Sequence, residues 1–313
     1  MTTTTDPPVR AGATTPPPVP GRAPRLTDRR LAVAFISPAM LLLLTMSVFP
    51  LLWALYLSFT EYSVTRDVPP AWVGFANYAD VITSSEVHAR ALTTLLYVVG
   101  AVSLQTVLGF TIAYLISRRR RGQGLLTLLF LVPMMLSPVV VGLFWRFMLD
   151  TQFGVVNSLL GSVGLGQVEW LTQRRTALLS LVIVDTWQWT PFIMLIALAG
   201  LTAVPRYLYE AASIDRASEW FRFRQITLPL VWPLLLIAVM FRAIEAFRQF
   251  DLVFILTNGG PGVSTETLSF HVYKVAFLGF DTGTASAYGI LMVIVVIVLA
   301  QFYLRYLDKL KER

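Results

Sequence analysis

The sequence predicts an all-α membrane protein with six transmembrane helices and both termini on the cytoplasmic side. Three observations predict it. Hydrophobic residues fill 56% of the 313 positions and charged residues only 14%, against about 25% charged in an ordinary soluble domain. Apolar stretches long enough to cross a ~30 Å hydrocarbon core recur six times. The cations alternate between loops as the positive-inside rule requires.

Taken in order, residues 1–24 are Thr/Pro-rich without apolar periodicity. They are expected to be disordered or locally polyproline-like, within a cytoplasmic tail over 1–28. The apolar run that follows is far longer than a signal-peptide core and lacks a small-residue cleavage site, so a cleaved leader is not expected. The spans are placed at 31–59, 91–117, 125–149, 177–204, 228–256 and 284–306. Pro38, Pro50, Pro133, Pro138, Pro191 and Pro233 fall inside them or at their ends. Membrane helices tolerate such prolines because neighbouring groups satisfy the freed carbonyls.

Arg10, Arg22, Arg25, Arg29 and Arg30 precede the first span, and Arg118 to Arg121 separate the second from the third. Arg206, Arg216, Arg222 and Arg224 separate the fourth from the fifth; Arg305, Lys309, Lys311 and Arg313 follow the sixth. The alternate loops hold only Arg66, Arg90, Arg174, Arg175 and Lys274. An even number of spans also demands both termini on one side. The net charge of +7 is therefore topology, and no nucleic-acid partner is expected.

Much chemistry is excluded. With no cysteine there is no disulfide framework, thiolate metal site or cysteine nucleophile. Lys274, Lys309 and Lys311 are the only lysines and none follows a glycine, so no phosphate-binding P-loop exists. His88 and His271 lack metal-ligand spacing; both are placed in external loops with a surface role. No Gly-x-Ser-x-Gly nucleophile setting appears. The chain is expected to bind no cofactor or metal and to catalyse nothing alone.

One charged stretch interrupts the apolar chain: YEAASIDRASEWFRFRQITLPLVWP, residues 209–233. Pro205 suits the first position of a helix, in which Tyr207, Glu210, Ala211 and Ile214 share a face. Asp215 is expected to end that helix and cap a second from Ala217, with Trp220, Phe223 and Arg224 on one face. Pro229 and Pro233 open the next span. The reading is two short helices at an angle on the cytoplasmic side. Periodicity alone fits an amphipathic hairpin at the headgroups equally well.

The pattern Glu210-Ala211-Ala212, Asp215, Ala217, Phe223, Ile226, Leu228-Pro229 and Pro233 resembles the EAA coupling segment of ABC importer permeases. GFANYADVI (74–82), LVPMMLSPVVVGLFW (131–145), FGVVN (153–157) and TNGGP (257–261) with Thr265-Glu266-Thr267 resemble the carbohydrate-importer permeases, relatives of the maltose and glycerol-3-phosphate systems. The resemblance implies a six-helix type I importer core over 29–313, with a coupling segment at 205–229. It also implies a second homologous permease, an ATPase dimer that handles ATP and Mg, an extracytoplasmic solute-binding protein, a sugar-like solute and a multi-pass location in the bacterial cell membrane. Glu210, Ala211, Ala212, Asp215, Arg216, Ala217, Trp220 and Phe223 would then contact the ATPase. Relatives have glycine where Arg216 stands. A non-glycine residue in a left-handed corner costs about 1–2 kcal/mol, so the corner here is expected to use another conformation or to be compensated by a carboxylate of a partner subunit.

Ionisable groups inside a membrane are costly and point to function. Asp185 opens DTWQWTP in the fourth span, and Arg242, Glu245 and Arg248 recur every third residue in the fifth. An ion-pair lattice with Glu245 between two arginines explains part of this as well as function does. Trp187 and Trp189 suit a sugar, whose C–H face packs on indole. The resemblance places a substrate pathway at Met134, Pro138, Asp185, Trp187, Gln188, Trp189, Arg242, Glu245, Ala246 and Gln249. Arg146 is read as an anchor at the external end of the third span. External loops 60–90, 150–176 and 257–283 are the expected docking surface for the binding protein. An ion-gradient-driven secondary transporter is the alternative; it predicts inverted repeats with matching broken helices, which the sequence does not display.

Overall fold

The computed structural model describes residues 28–119 and 121–311; the expectations for the tail through residue 27 lie outside them. The described chain is mostly helical and divides between Leu52 and Trp53 into two units. The helices are α1 (Val33–Leu57), α2 (Ala76–Thr83), α3 (Ser85–Ser117), α4 (Gln123–Met135), α5 (Pro138–Met148), α6 (Val155–Ser162), α7 (Arg174–Ala203), α8 (Arg206–Ile214), α9 (Glu219–Phe247), α10 (Asp251–Leu256), α11 (Leu268–Leu278) and α12 (Thr282–Lys309). Of these α1, α3, α7, α9 and α12 are long and apolar enough to cross a membrane, while α4 and α5 form a pair bent by 92°.

That bend corrects the continuous span expected over 125–149. Pro133 and Pro138 bracket it, and Leu136 and Ser137 between them are extended. Proline disfavours helical geometry at the residue before it, so Ser137 leaves the helix and Pro138 restarts it at the first turn. The fifth span is corrected too. It starts earlier, at Glu219, and ends at Phe247; Arg248 to Phe250 break it before α10.

Two prolines are absorbed differently. Pro50 and Pro229 each follow a π-helical turn, over Leu44–Val48 and Phe223–Thr227. In these turns Phe49 N–H bonds Leu44 O and Leu228 N–H bonds Phe223 O. A proline ring collides with the carbonyl four residues back, and a wide turn just upstream moves that carbonyl aside.

The core forms where α3 and α7 run side by side. A Cβ on Gly109 would stand 2.9 Å from Cβ of Ile193, so the missing side chain is what lets the two helices touch. Tyr97, Leu181, Val184, Leu252 and Phe270 fill one half of the core; Ile116, Ile193, Met194, Leu201, Val231 and Leu235 fill the other. On the side away from the arginine-rich loops, a short antiparallel pair joins β1 (Thr60–Glu61) to β2 (Ala71–Trp72). Asn77 donates to Ser58 O and Thr60 O at 2.9 and 3.0 Å, and Gly283 N–H bonds Tyr62 O at 3.0 Å. A Cβ on Gly283 would lie 2.2 Å from Thr60 O, so glycine there is a steric requirement. The 150–176 loop is stapled by Asn157, which donates to Thr151 O and Val168 O and accepts from Val168 N–H and Trp170 Nε1–H.

Candidate functional site

The 205–233 segment folds around a corner at Arg216. Pro205 is the cap residue just outside α8 rather than its first turn, a one-residue correction. At the other end Asp215 N–H bonds Ala211 O, Arg216 N–H bonds Ser213 O and Ala217 N–H bonds Ala212 O. These last two bonds make a Schellman motif, whose left-handed position is Arg216 at φ 53°. The arginine thus adopts the conformation expected of glycine. We expect Arg216→Gly to stabilise the corner by about 1 kcal/mol, read as slower proteolytic cleavage between α8 and α9 in membranes.

Asp215 does not cap the following helix. Ser218 does, its Oγ accepting from Phe221 N–H at 3.2 Å. The second helix is also not a separate short one, because Glu219–Arg222 runs through the π turn into α9 as one span. Glu219 and Phe247 are therefore the two ends of one continuous helix.

The two faces of α8 differ. Tyr207, Glu210, Ala211 and Ile214 are exposed, with Ile214 83% accessible, whereas Ala212 is buried and Tyr209 Oη bonds Thr227 Oγ1 at 2.8 Å. Trp220 is 66% accessible and stacks on Phe223, centroids 5.6 Å apart. Phe223 in turn packs against Phe110 and Tyr114 of α3. An exposed apolar-plus-carboxylate face on a helix fixed from behind is what a docking partner requires.

Inside the span region, the sequence-level pairing of Glu245 with two arginines is corrected. Arg242, 2% accessible, pairs with Asp185, 0% accessible. Gln105 Nε2 donates to Asp185 Oδ2 at 2.8 Å, and the Arg242 guanidinium lies 5.2 Å over the Trp189 ring. Glu245 is exposed, and among the described residues its carboxylate pairs with Arg248, at 2.7 Å. Three helices, α3, α7 and α9, are thereby pinned at one buried point that unites residues 80 and 57 positions apart. Asp185 Oδ1, Arg242 Nε, Gln105 Oε1 and Trp189 Nε1 have no partner among the described residues.

The other pathway residues occupy different surroundings. Trp187 meets Trp145 edge-on at 5.6 Å and lines an apolar cavity of about 520 Å³ with Phe130, Pro133 and Met194. Gln188 is buried and donates to Leu136 O at 3.1 Å, supplying a partner for a carbonyl freed by the helix break. Ala246 is buried; Met134, Pro138 and Gln249 are half-buried. Asp185 and Trp187 thus sit on opposite sides of α7 and do not converge on one cavity. Arg146 is exposed and donates to Ile255 O at 3.3 Å.

A second polar centre was not foreseen. Glu266, 1% accessible, receives Arg90 Nε at 3.1 Å and Lys274 Nζ at 2.8 Å, and lies 2.7 Å from His271 Nδ1. His271 is therefore buried rather than superficial, with Tyr288 Oη 3.3 Å from its other nitrogen; His88 is exposed. The signal lay in the spacing of Glu266, His271 and Lys274 within a turn and a helix, but Arg90 joins from far away. Burial opposes ionisation of Glu266, yet the donors from Lys274, His271 and Arg90 outweigh it and hold its carboxyl below the usual range. A lowered carboxyl pKa contributes stability that is complete above the unfolded value, about 4.3, and is lost as pH falls through the folded one. Thermal unfolding should show the wild type losing stability on acidification below that value. Glu266→Gln should be less stable at pH 7 and change less with acid.

Among the described residues no cluster could hold a metal ion. The family model described as "Binding-protein-dependent transport system inner membrane component" matches residues 105–313. A "probable ABC transporter permease protein" of Sinorhizobium fredii is 41% identical over 271 residues, 86% of this chain and 87% of that one. The trehalose/maltose transport system permease protein of Thermococcus litoralis is 34% identical over 278 residues, covering 89% and 94%. The sulfoquinovosyl glycerol transport system permease protein of Agrobacterium fabrum is 34% identical over 284 residues, covering 90% and 91%. Among solved structures, a bacterial ABC transporter that imports the acidic polysaccharide alginate shares the fold at a TM-score of 0.80 and 21% identity, covering 90% of this chain and 96% of that one.

Proposed function

Because this chain belongs to the family of binding-protein-dependent transport system inner membrane components, a multi-pass membrane family, we propose that it is the permease half of an ABC importer for a sugar or sugar-like solute. Relatives named for trehalose, maltose and sulfoquinovosyl glycerol support that solute class. The bent pair α4–α5 counts as one span in this reading, which gives six spans and puts both termini in the cytoplasm of a bacterial cell. The protein is then a translocation component without catalytic activity.

ATP and Mg belong to a separate ATPase dimer, and a second homologous permease completes the pore. An extracytoplasmic binding protein delivers the solute to the loops around β1–β2, Asn157 and Glu266. The observation that carries the reading is the uncovered α8 face, with Tyr207, Glu210, Ala211 and Ile214 exposed beside Trp220. It offers carboxylate, alanine and aromatic groups, while behind it Tyr209 bonds Thr227 and the neighbouring Trp220 stacks on Phe223, which Phe110 and Tyr114 brace. ATPase closure would press on this face and drive α9 as a lever. Ala212, Asp215, Arg216 and Ala217 set the angle of the lever through the Schellman corner.

On this reading the Asp185–Arg242 pair holds α3, α7 and α9 together in one state. Trp187, Trp189, Met134, Pro138 and Gln249 supply the surfaces a sugar passes, with Gln188, Glu245 and Ala246 beside them. A secondary transporter is not favoured, since it has no use for a cytoplasmic lever. The test is uptake of radiolabelled sugars by proteoliposomes holding the complete set of subunits. Uptake should stop when either the ATPase or the binding protein is omitted. Accumulation driven by an ion gradient without ATP would contradict the proposal.

A further inference from the structure

A crevice of about 430 Å³ opens where the ends of α3 and α7 meet the beginnings of α4, α8 and α9. All five elements reach it at the arginine-rich ends of the spans, the level at which headgroups lie. Arg118, Arg206 and Arg222 line it against one acid, Glu219, so three positive charges less one negative leave two uncompensated. Glu219 is shared by Arg118 at 2.9 Å and Arg222 at 3.2 Å. Arg206 has no ion-pair partner among the described residues.

Arg206 is also awkwardly placed. It is the first residue of α8, where Pro205 supplies no side-chain cap and the helix dipole favours negative charge. An anion seated there would be favoured both by the helix dipole and by the guanidinium. Ser117, Thr202 and Thr227 add hydroxyls around the same space.

We propose that this crevice seats the phosphate of an anionic phospholipid headgroup from the adjoining leaflet. Its opening lies among helices whose outward faces are apolar, as the exposed Leu115, Leu125 and Leu230 attest, so acyl chains follow the helices while the phosphate enters. Basic pockets between helices at this level are suited to such headgroups, and each arginine is worth about fivefold in affinity. The phosphate would tie α8 and the tip of α9 to the membrane surface.

The experiment uses the full-length chain in nanodiscs of phosphatidylcholine doped with phosphatidylglycerol. Retained phosphatidylglycerol is counted by native mass spectrometry. Arg206→Gln should lower retention about fivefold. Arg119→Gln, which removes an exposed charge outside the crevice, should leave it unchanged. Equal retention by wild type and Arg206→Gln overturns the proposal, and so does an equal loss in Arg119→Gln, which marks diffuse attraction to the basic loop. Inorganic phosphate is titrated in a third arm. Displacement of the lipid by millimolar phosphate assigns the crevice to a soluble anion and overturns the lipid assignment; persistence of the lipid supports it.

Discussion

Glu210→Lys is expected to abolish solute uptake while leaving the chain at normal abundance in the membrane. The Glu210 side chain is exposed and makes no ion pair among the described residues, so the fold should change by less than about 0.5 kcal/mol. Reversing a charge inside an interface, by contrast, juxtaposes like charges at a cost of several kcal/mol. Uptake should fall at least ~100-fold, since each 1.4 kcal/mol is a factor of ten. Ala211→Gly should act in the same direction. It weakens the helix by about 1 kcal/mol at the position where a partner can approach most closely. Immunoblots of membranes beside uptake assays separate lost coupling from lost protein. Normal transport by Glu210→Lys would remove α8 from the mechanism.

The second large effect concerns the buried pair. Arg242→Met should destabilise the protein by about 3–5 kcal/mol, and Asp185→Ala by a similar amount, because each leaves a charge buried without its partner. Combining them should recover most of the loss, since two apolar residues can replace a buried ion pair nearly neutrally. Thermal unfolding in detergent measures all three variants. Additive losses would mean that the two side chains act independently, against the contact seen between them. If the pair also serves transport, the double variant should be stable but slow.

The spans were legible because twenty apolar residues in a row admit few other structures in lipid. What hydropathy lacks is direction. The run from Leu125 to Trp145 is apolar but for Thr127 and Ser137, and the 92° bend within it comes from two prolines around Leu136 and Ser137. The exposed face of α8 followed from spacing alone, since Tyr207, Glu210, Ala211 and Ile214 must lie together on any helix. Its corner was recognisable by motif, but the left-handed Arg216 needed the backbone itself. Ser218 rather than Asp215 caps the next helix because the Schellman turn places Asp215 on the end of the first.

Long-range pairings were the part that local pattern could not reveal. Arg242 lies three residues from Glu245 and 57 from Asp185, yet pairs with Asp185. Helix packing decides the matter: Glu245 and Arg248 point outward, whereas Arg242 points at α7. His271 was misjudged for the same reason. Its burial depends on Glu266, Tyr288 and the distant Arg90, which meet only after α3, α11 and α12 have assembled.

If the uncovered face of α8 engages an ATPase subunit, assembly with that subunit must shield it from water. The chain contains no cysteine, so Ala211→Cys carries its only thiol, at an exposed position. Labelling of that thiol by a bulky water-soluble maleimide should be rapid in membranes holding the permease subunits alone. It should become at least ~10-fold slower, for an equilibrium shift of about 1.4 kcal/mol or more, when the ATPase is co-assembled. Equal labelling rates with and without the ATPase, in complexes that still transport, would contradict the account.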